Sequence, residues 1–197
     1  MRPSQKIRIP VDGQLLDGEL TSSGGATGLV VCAYGSGTGR LHLRDAHVTD
    51  RLQAVGLDIL TIDLLGEAER WHDLGTAAYR FDVPLLTRRL LQVLGWLAAR
   101  RETRALPVGL IGAGTCDAAA LVAASRSPYV RAVVSLGGRP DLAGEALLRV
   151  SAPTLFIAGE HDEDLIELSQ RASAELSCER RLVILPGDTH LSENQAN

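Results

Sequence analysis

The chain has 197 residues, 45% of them hydrophobic and 22% charged, with a formal net charge of −4, so residues 1–197 read as a single domain able to bury a sizeable core. The acidic balance, with a pI near 5.7, excludes the basic footprint of a nucleic-acid binder. No run approaches the ~18 apolar residues of a membrane span, and the opening "MRPSQKIRIPVDG" lacks the apolar core of a secretion signal.

Ile7–Ile9 and Leu15–Leu20 flank Asp12-Gly13 and predict a β-hairpin. "GLVVCA" (Gly28–Ala33) is a continuous apolar run, as expected of a strand buried on both faces. The loop "YGSGTGR" follows, then a helical pattern from about Leu43 to Val55 and a second buried strand, Leu57–Leu65. "GEAERWHDLGTAAY" is polar and less regular, and is read as a loop segment carrying Trp71 and His72. Leucines at helical spacing predict a long helix from about Asp82 to Arg101, with Pro84 early, where a first turn tolerates it. Beyond it, "VGLIGA", "VRAVVSL", "APTLFIAG" and "RRLVILPG" read as strands, with "TCDAAALVAAS" and "EDLIELSQRASAEL" as helices. Alternation of buried strands with helices implies a mostly parallel sheet covered on both faces, opened by an antiparallel hairpin. Chemistry is then expected in the loops beyond the carboxyl ends of the strands.

Cys32, Cys116 and Cys178 are odd in number and far apart, which fits neither a disulfide framework nor a zinc site and makes a reducing cytoplasm the expected setting. At the junction of strand "VGLIGA" and its following helix stands Gly112-Ala113-Gly114-Thr115-Cys116. In many hydrolases this junction is G-x-S-x-G with a nucleophilic serine at its centre. Asp162 follows the strand at Thr154, and His190 follows the last strand, so elbow, acid and histidine fall in the chain order of an α/β-hydrolase.

Several segments together resemble the small, lid-less α/β-hydrolases of the dienelactone-hydrolase-like family, from about Ile7 to Leu191. "YGSGTGR" is similar to that family's H-G-S-G-x-x-R loop, "RFDVPLL" to R-F-D-[IV]-x-L-L, and "GGRPDLAG" to G-G-R-P-D-L-A. "PTLFIAGEHD" ends at the position of the acid and "DTHL" at that of the histidine. The resemblance implies a three-layer α/β-hydrolase fold without a lid domain. Four departures accompany it. Gly114 stands where the family has serine, Tyr34 where it has the histidine of H-G-S-G, and Leu136 where it often has arginine. The chain also stops soon after His190, so the family's closing helix is expected to be absent.

A glycine at 114 keeps a strained turn while deleting the nucleophile, because glycine accepts backbone conformations that other residues adopt only at a cost of about 1–3 kcal/mol. Cys116 is either a relocated nucleophile, favoured by a helix N-terminus, or a small buried hydrophobe. Two positions along a helix turn the side chain by about 200°, and Asp117 disfavours a thiolate. His190 braced by Asp162 is a competent general base or acid. The resemblance places the oxyanion hole at backbone N–H groups of Ser36 and Thr115. Tyr34 either faces the pocket as a donor or packs; Arg40 and Arg139 either brace loops or meet an anionic substrate. His72 and His161 read as surface residues.

The expectation is an enzyme working by a His190–Asp162 dyad on a small carbonyl substrate, an ester, lactone or polyketide-like compound. A thiol hydrolase using Cys116 and a non-catalytic binding or scaffold protein are the alternatives. No cofactor, metal, nucleic-acid or membrane partner is expected, and a homodimer is the expected assembly.

Overall fold

In the computed structural model, which describes residues 4–35 and 46–187, eight strands form one sheet in the order β1-β2-β4-β3-β5-β6-β7-β8. These are β1 (Ser4–Val11), β2 (Gln14–Thr21), β3 (Gly28–Tyr34), β4 (Leu57–Asp63), β5 (Val108–Ala113), β6 (Val130–Leu136), β7 (Thr154–Gly159) and β8 (Arg180–Leu185). β1 pairs with β2, and β2 with β4, in antiparallel fashion; the pairings from β4 through β8 are parallel. Asp12 and Gly13 make the hairpin turn with φ of 51° and 74°, the left-handed pair that matches the twist of the two strands.

Every position of β3 is buried, because helices cover both faces of the sheet's centre. Leu29, Val31 and Ala33 join the larger core, while Val30, Cys32 and Tyr34 join a smaller one on the opposite face. This is the period-two alternation of a strand. Helix α1 (Ala46–Ala54) lends Leu52 to the smaller core. The larger core takes Leu86, Leu90, Val93 and Leu97 from α3 (Val83–Ala99), the alanines of α4 (Cys116–Arg126), and Ala172 from α5 (Glu163–Glu175). α3 starts where Asp82 accepts a hydrogen bond from the Leu85 N–H at 2.9 Å, with Pro84 in its first turn. In α4 every residue from Cys116 to Ala124 is buried, since alanine lets a helix sit close against the sheet.

One segment differs from the sequence reading. Glu67–Thr76, expected to be irregular, is helix α2. Its apolar residues Trp71 and Leu74 face outward, 70% and 66% exposed, so there is no inward stripe to read. What fixes it is polar: Glu69 accepts from the Gly66 N–H at 2.9 Å. Pro140–Arg149 winds as a 3₁₀ segment with a kink at Gly144. No described helix is long and apolar enough to cross a membrane.

Candidate active site

β5 ends in the turn that the sequence singles out. Gly114 has φ +59°, a conformation that costs an L-residue about 1–2 kcal/mol, and a Cβ placed there would meet no described atom within 4 Å. The position is exposed, with the left-handed backbone that glycine adopts without strain and that the centre of a nucleophile elbow imposes on a serine. The rest of the turn is tight. A Cβ on Gly112 would lie 2.6 Å from the Asp117 Cα, and one on Gly138 would run into the Gly114 carbonyl oxygen and the Asp117 Cβ. The Asp117 N–H donates to the Gly114 carbonyl at 3.3 Å, and the Gly114 N–H to that of Leu136 at 3.4 Å. The turn is thus packed against the end of β6.

Thr115, half-buried, is the last residue before α4. Cys116 is fully buried. Its Sγ would be 3.1 Å from a Cβ on Gly35, beside Leu86, so the sulfur lies under the end of β3 among apolar atoms. Burial first, then the Asp63 and Asp117 carboxylates, push its thiol well above the ordinary range. Asp117 is itself fully buried. Its Oδ2 accepts from the Ser135 hydroxyl at 2.7 Å, and Oδ1 is buried without a hydrogen-bond partner. Burial, augmented by the Asp141 carboxylate and opposed by the Ser135 hydrogen bond, raises its carboxyl to about 8.

Asp162 stands at the start of α5, where its Oδ1 accepts from the Leu165 N–H at 3.2 Å. It shares a cavity of about 480 Å³ with Arg139, Asp164, Leu165, Glu167 and Leu168. Arg139 forks onto Asp141 through Nε and an Nη, at 2.8 and 2.7 Å, a loop-bracing pair that also lowers the Asp141 carboxyl. Because asparagine caps a helix as well as aspartate does, Asp162→Asn is expected to hold stability within about 0.5 kcal/mol of the parent chain. Asp162→Ala loses about 1 kcal/mol by the same measure. Urea denaturation checks both.

Tyr34 is 2% exposed at the end of β3, in the smaller core with Val30, Cys32, Ile59 and Ile111. It borders a cavity of about 570 Å³ over the hairpin side, whose other walls include Lys6, Arg8, Asp17, Glu19 and Asp63. The Gly114 turn, Tyr34 and Asp162 stand at or just beyond the carboxyl ends of β5, β3 and β7. His72 stacks edge-on to Tyr79 at 5.7 Å on α2, and His161 is exposed. The expected site residues Ser36, Arg40 and His190 lie outside the described residues. Among the described residues no group of three His, Cys, Asp or Glu is placed to hold a metal ion.

Asp117 and its partner Ser135 were not singled out as site residues in the sequence. The available signal was the run Ala118–Ala124, which marks a helix buried all round and so places its first turn indoors as well.

No family model matches the sequence. The chain is 44% identical to a dienelactone hydrolase from Anabaena variabilis, whose crystal structure matches with a TM-score of 0.91 over 98% of this chain and 90% of that one. A provisionally named dienelactone hydrolase from Klebsiella pneumoniae, 19% identical, shares the fold with a TM-score of 0.74 over 96% of this chain and 88% of that one. Proteins of two Mycobacterium tuberculosis strains, provisionally named phosphoribosyl transferases, are 46% identical over 190 residues. That match takes in 96% of this chain but 42% of theirs, so the chain spans less than half the length of these curated relatives.

Proposed function

Because the chain belongs to the dienelactone-hydrolase-like family of α/β-hydrolase-fold proteins, we propose that it is an enzyme of that fold working without a serine nucleophile. His190, oriented by Asp162, moves protons as general base or acid on a small carbonyl compound, an ester, lactone or polyketide-like substrate. Backbone N–H groups of Ser36 and Thr115 take the negative charge that develops on its oxygen.

The observation that carries this reading is Gly114: its backbone has the elbow conformation, with no described atom within 4 Å of where a side chain would project. The frame of a nucleophilic turn is kept, and the attacking atom is missing. In proteases, loss of the triad serine leaves only about 10³–10⁴-fold acceleration over water, so acyl transfer at this position is a poor use of the site. Proton transfer needs only the dyad and the donors. The thiol alternative is weakened by the burial of Cys116, since a nucleophile must both ionise and reach its substrate. The transferase name of the mycobacterial relatives covers polypeptides more than half of which lie outside the match, and nothing in the site asks for it.

The test is exchange of the acidic carbon-bound protons of small β-keto lactones in deuterated water, followed by NMR. The parent chain is expected to accelerate exchange, and His190→Ala to lose about 10²–10⁴-fold of that acceleration. A parent rate equal to buffer, or one unchanged in His190→Ala, sinks the proposal. As a companion, Gly114→Ser is expected to gain hydrolysis of p-nitrophenyl acetate while losing about 1–2 kcal/mol of stability to the left-handed backbone. Hydrolysis by the parent chain that disappears in Cys116→Ser would favour the thiol enzyme instead.

A further inference from the structure

Asp117 has no task in proton transfer at His190, yet it is built into the elbow more closely than any candidate above. It occupies the second position of α4, beneath Gly114, in a slot walled by the backbones of Gly112 and Gly138 that leave no room for a further side chain. One carboxyl oxygen takes the Ser135 hydroxyl at 2.7 Å. The other is sealed from solvent with no hydrogen-bond partner. The groups around it do not favour a negative charge. From the start of the 3₁₀ segment Asp141 faces it, its own charge engaged by Arg139. On α4 its neighbour is the Cys116 thiol, with Asp63 of β4 beyond that. β6 contributes Ser135, and β5 the Gly112 backbone.

We propose that Asp117 is a proton-operated positioning residue for the elbow: with its carboxyl protonated it holds the Gly114 turn in the present shape, and on losing the proton it displaces that turn. A bare carboxylate oxygen cannot stay in a dry slot without a donor, and two of the slot's walls are backbone. The wall that can yield is the Gly114 turn, which is exposed and has no described atom within 4 Å of its missing side chain. On the reading of the site proposed above, on which this step rests, the Thr115 N–H is then aimed at substrate only while Asp117 holds its proton.

Carbon-detected correlation spectra of the labelled full-length chain, recorded from pH 5 to 9.5, test this without reference to turnover. The carbonyl and nitrogen signals of Gly114, Thr115 and Ser135 are expected to move together with one midpoint near 8, and Asp117→Asn to hold them at their low-pH positions. Ser135→Ala, which removes a hydrogen bond that favours the carboxylate, is expected to move the midpoint upward. Signals constant through the range, the same titration in Asp117→Asn, or a midpoint lowered by Ser135→Ala overturns the proposal. Should Asp117→Asn fail to fold, the carboxyl carbon of Asp117 in the parent chain decides: titration near 8 supports the proposal, and titration below 5 ends it. Failure of the exchange assay at His190 leaves this titration untouched, so the two ideas fail separately.

Discussion

Asp117→Asn is expected to remove most of the fall in stability that the parent chain shows as pH rises from about 4 to about 8. The folded carboxyl is raised from its ordinary 3.8 to about 8, so between those values the folded chain keeps a proton that the unfolded chain has released. Stability from this group is fully present below the unfolded value and drains away as pH climbs through the folded one. The slope is about 1.4 kcal/mol per pH unit. Over some four units the loss is about 5–6 kcal/mol, comparable to the whole stability of many domains. Asparagine fills the same slot without a charge and keeps an acceptor for Ser135. Its amide group sits where Oδ1 has no partner, at a cost of about 1–3 kcal/mol. The variant should therefore be the weaker protein at pH 4 and the stronger one at pH 9. Urea denaturation at those two values checks the crossing; a parent chain equally stable at both would contradict it.

The uneven legibility of the sequence has a physical basis. Strands such as Gly28–Tyr34 announce themselves because burial on both faces leaves no polar position, and α3 because its leucines line one side. Asp12-Gly13 is visible because few other pairs tolerate two positive φ values in succession. α2 escaped because its outward Trp71 and Leu74 carry no core signal, and its inward attachments are an acid and an arginine from distant elements. At the elbow, the identity of Gly114 is plain in the sequence, but its φ is a property of the folded turn. The burial of Cys116 is not visible in residues 112–116 alone, since it depends on Gly35 and Leu86 arriving from other elements. Asp117 was hardest to place. An aspartate in the first turn of a helix ordinarily reads as a solvated partner of the helix dipole, and only the packing of β6 and Gly138 over α4 shows it to be dry.

Arg89→Met is expected to cost about 3–5 kcal/mol, the range for breaking one half of a buried ion pair. The Arg89 side chain is 3% exposed and that of Glu69 14%. The guanidinium donates to both Glu69 carboxylate oxygens, at 2.6 and 2.7 Å, and to the Leu64 carbonyl at 2.7 Å. Methionine covers the volume but leaves Glu69 with only the Gln14 amide and the Gly66 N–H, each at 2.9 Å. The pair joins α3 to α2 and to the turn after β4, where Asp63 takes the Leu65 N–H at 3.0 Å and Arg70 at 3.3 Å. Its loss should loosen that whole edge of the strand ends. The pH signature runs opposite to that of Asp117. Arg89 holds the Glu69 carboxyl down, from 4.5 to about 2, so this stabilisation is present above the unfolded value and is lost as pH falls toward the folded one. In Arg89→Met the carboxyl returns toward its ordinary range, and the acid limb of the stability curve should flatten. Denaturation at pH 7 and pH 3 reads both effects, and a pH 7 loss under about 1 kcal/mol would reduce the pair to a surface contact. With Glu69 lost to acid and Asp117 a burden to base, the parent chain should be most stable near pH 4–5, and each single substitution should shift that optimum in the direction of the limb it relieves.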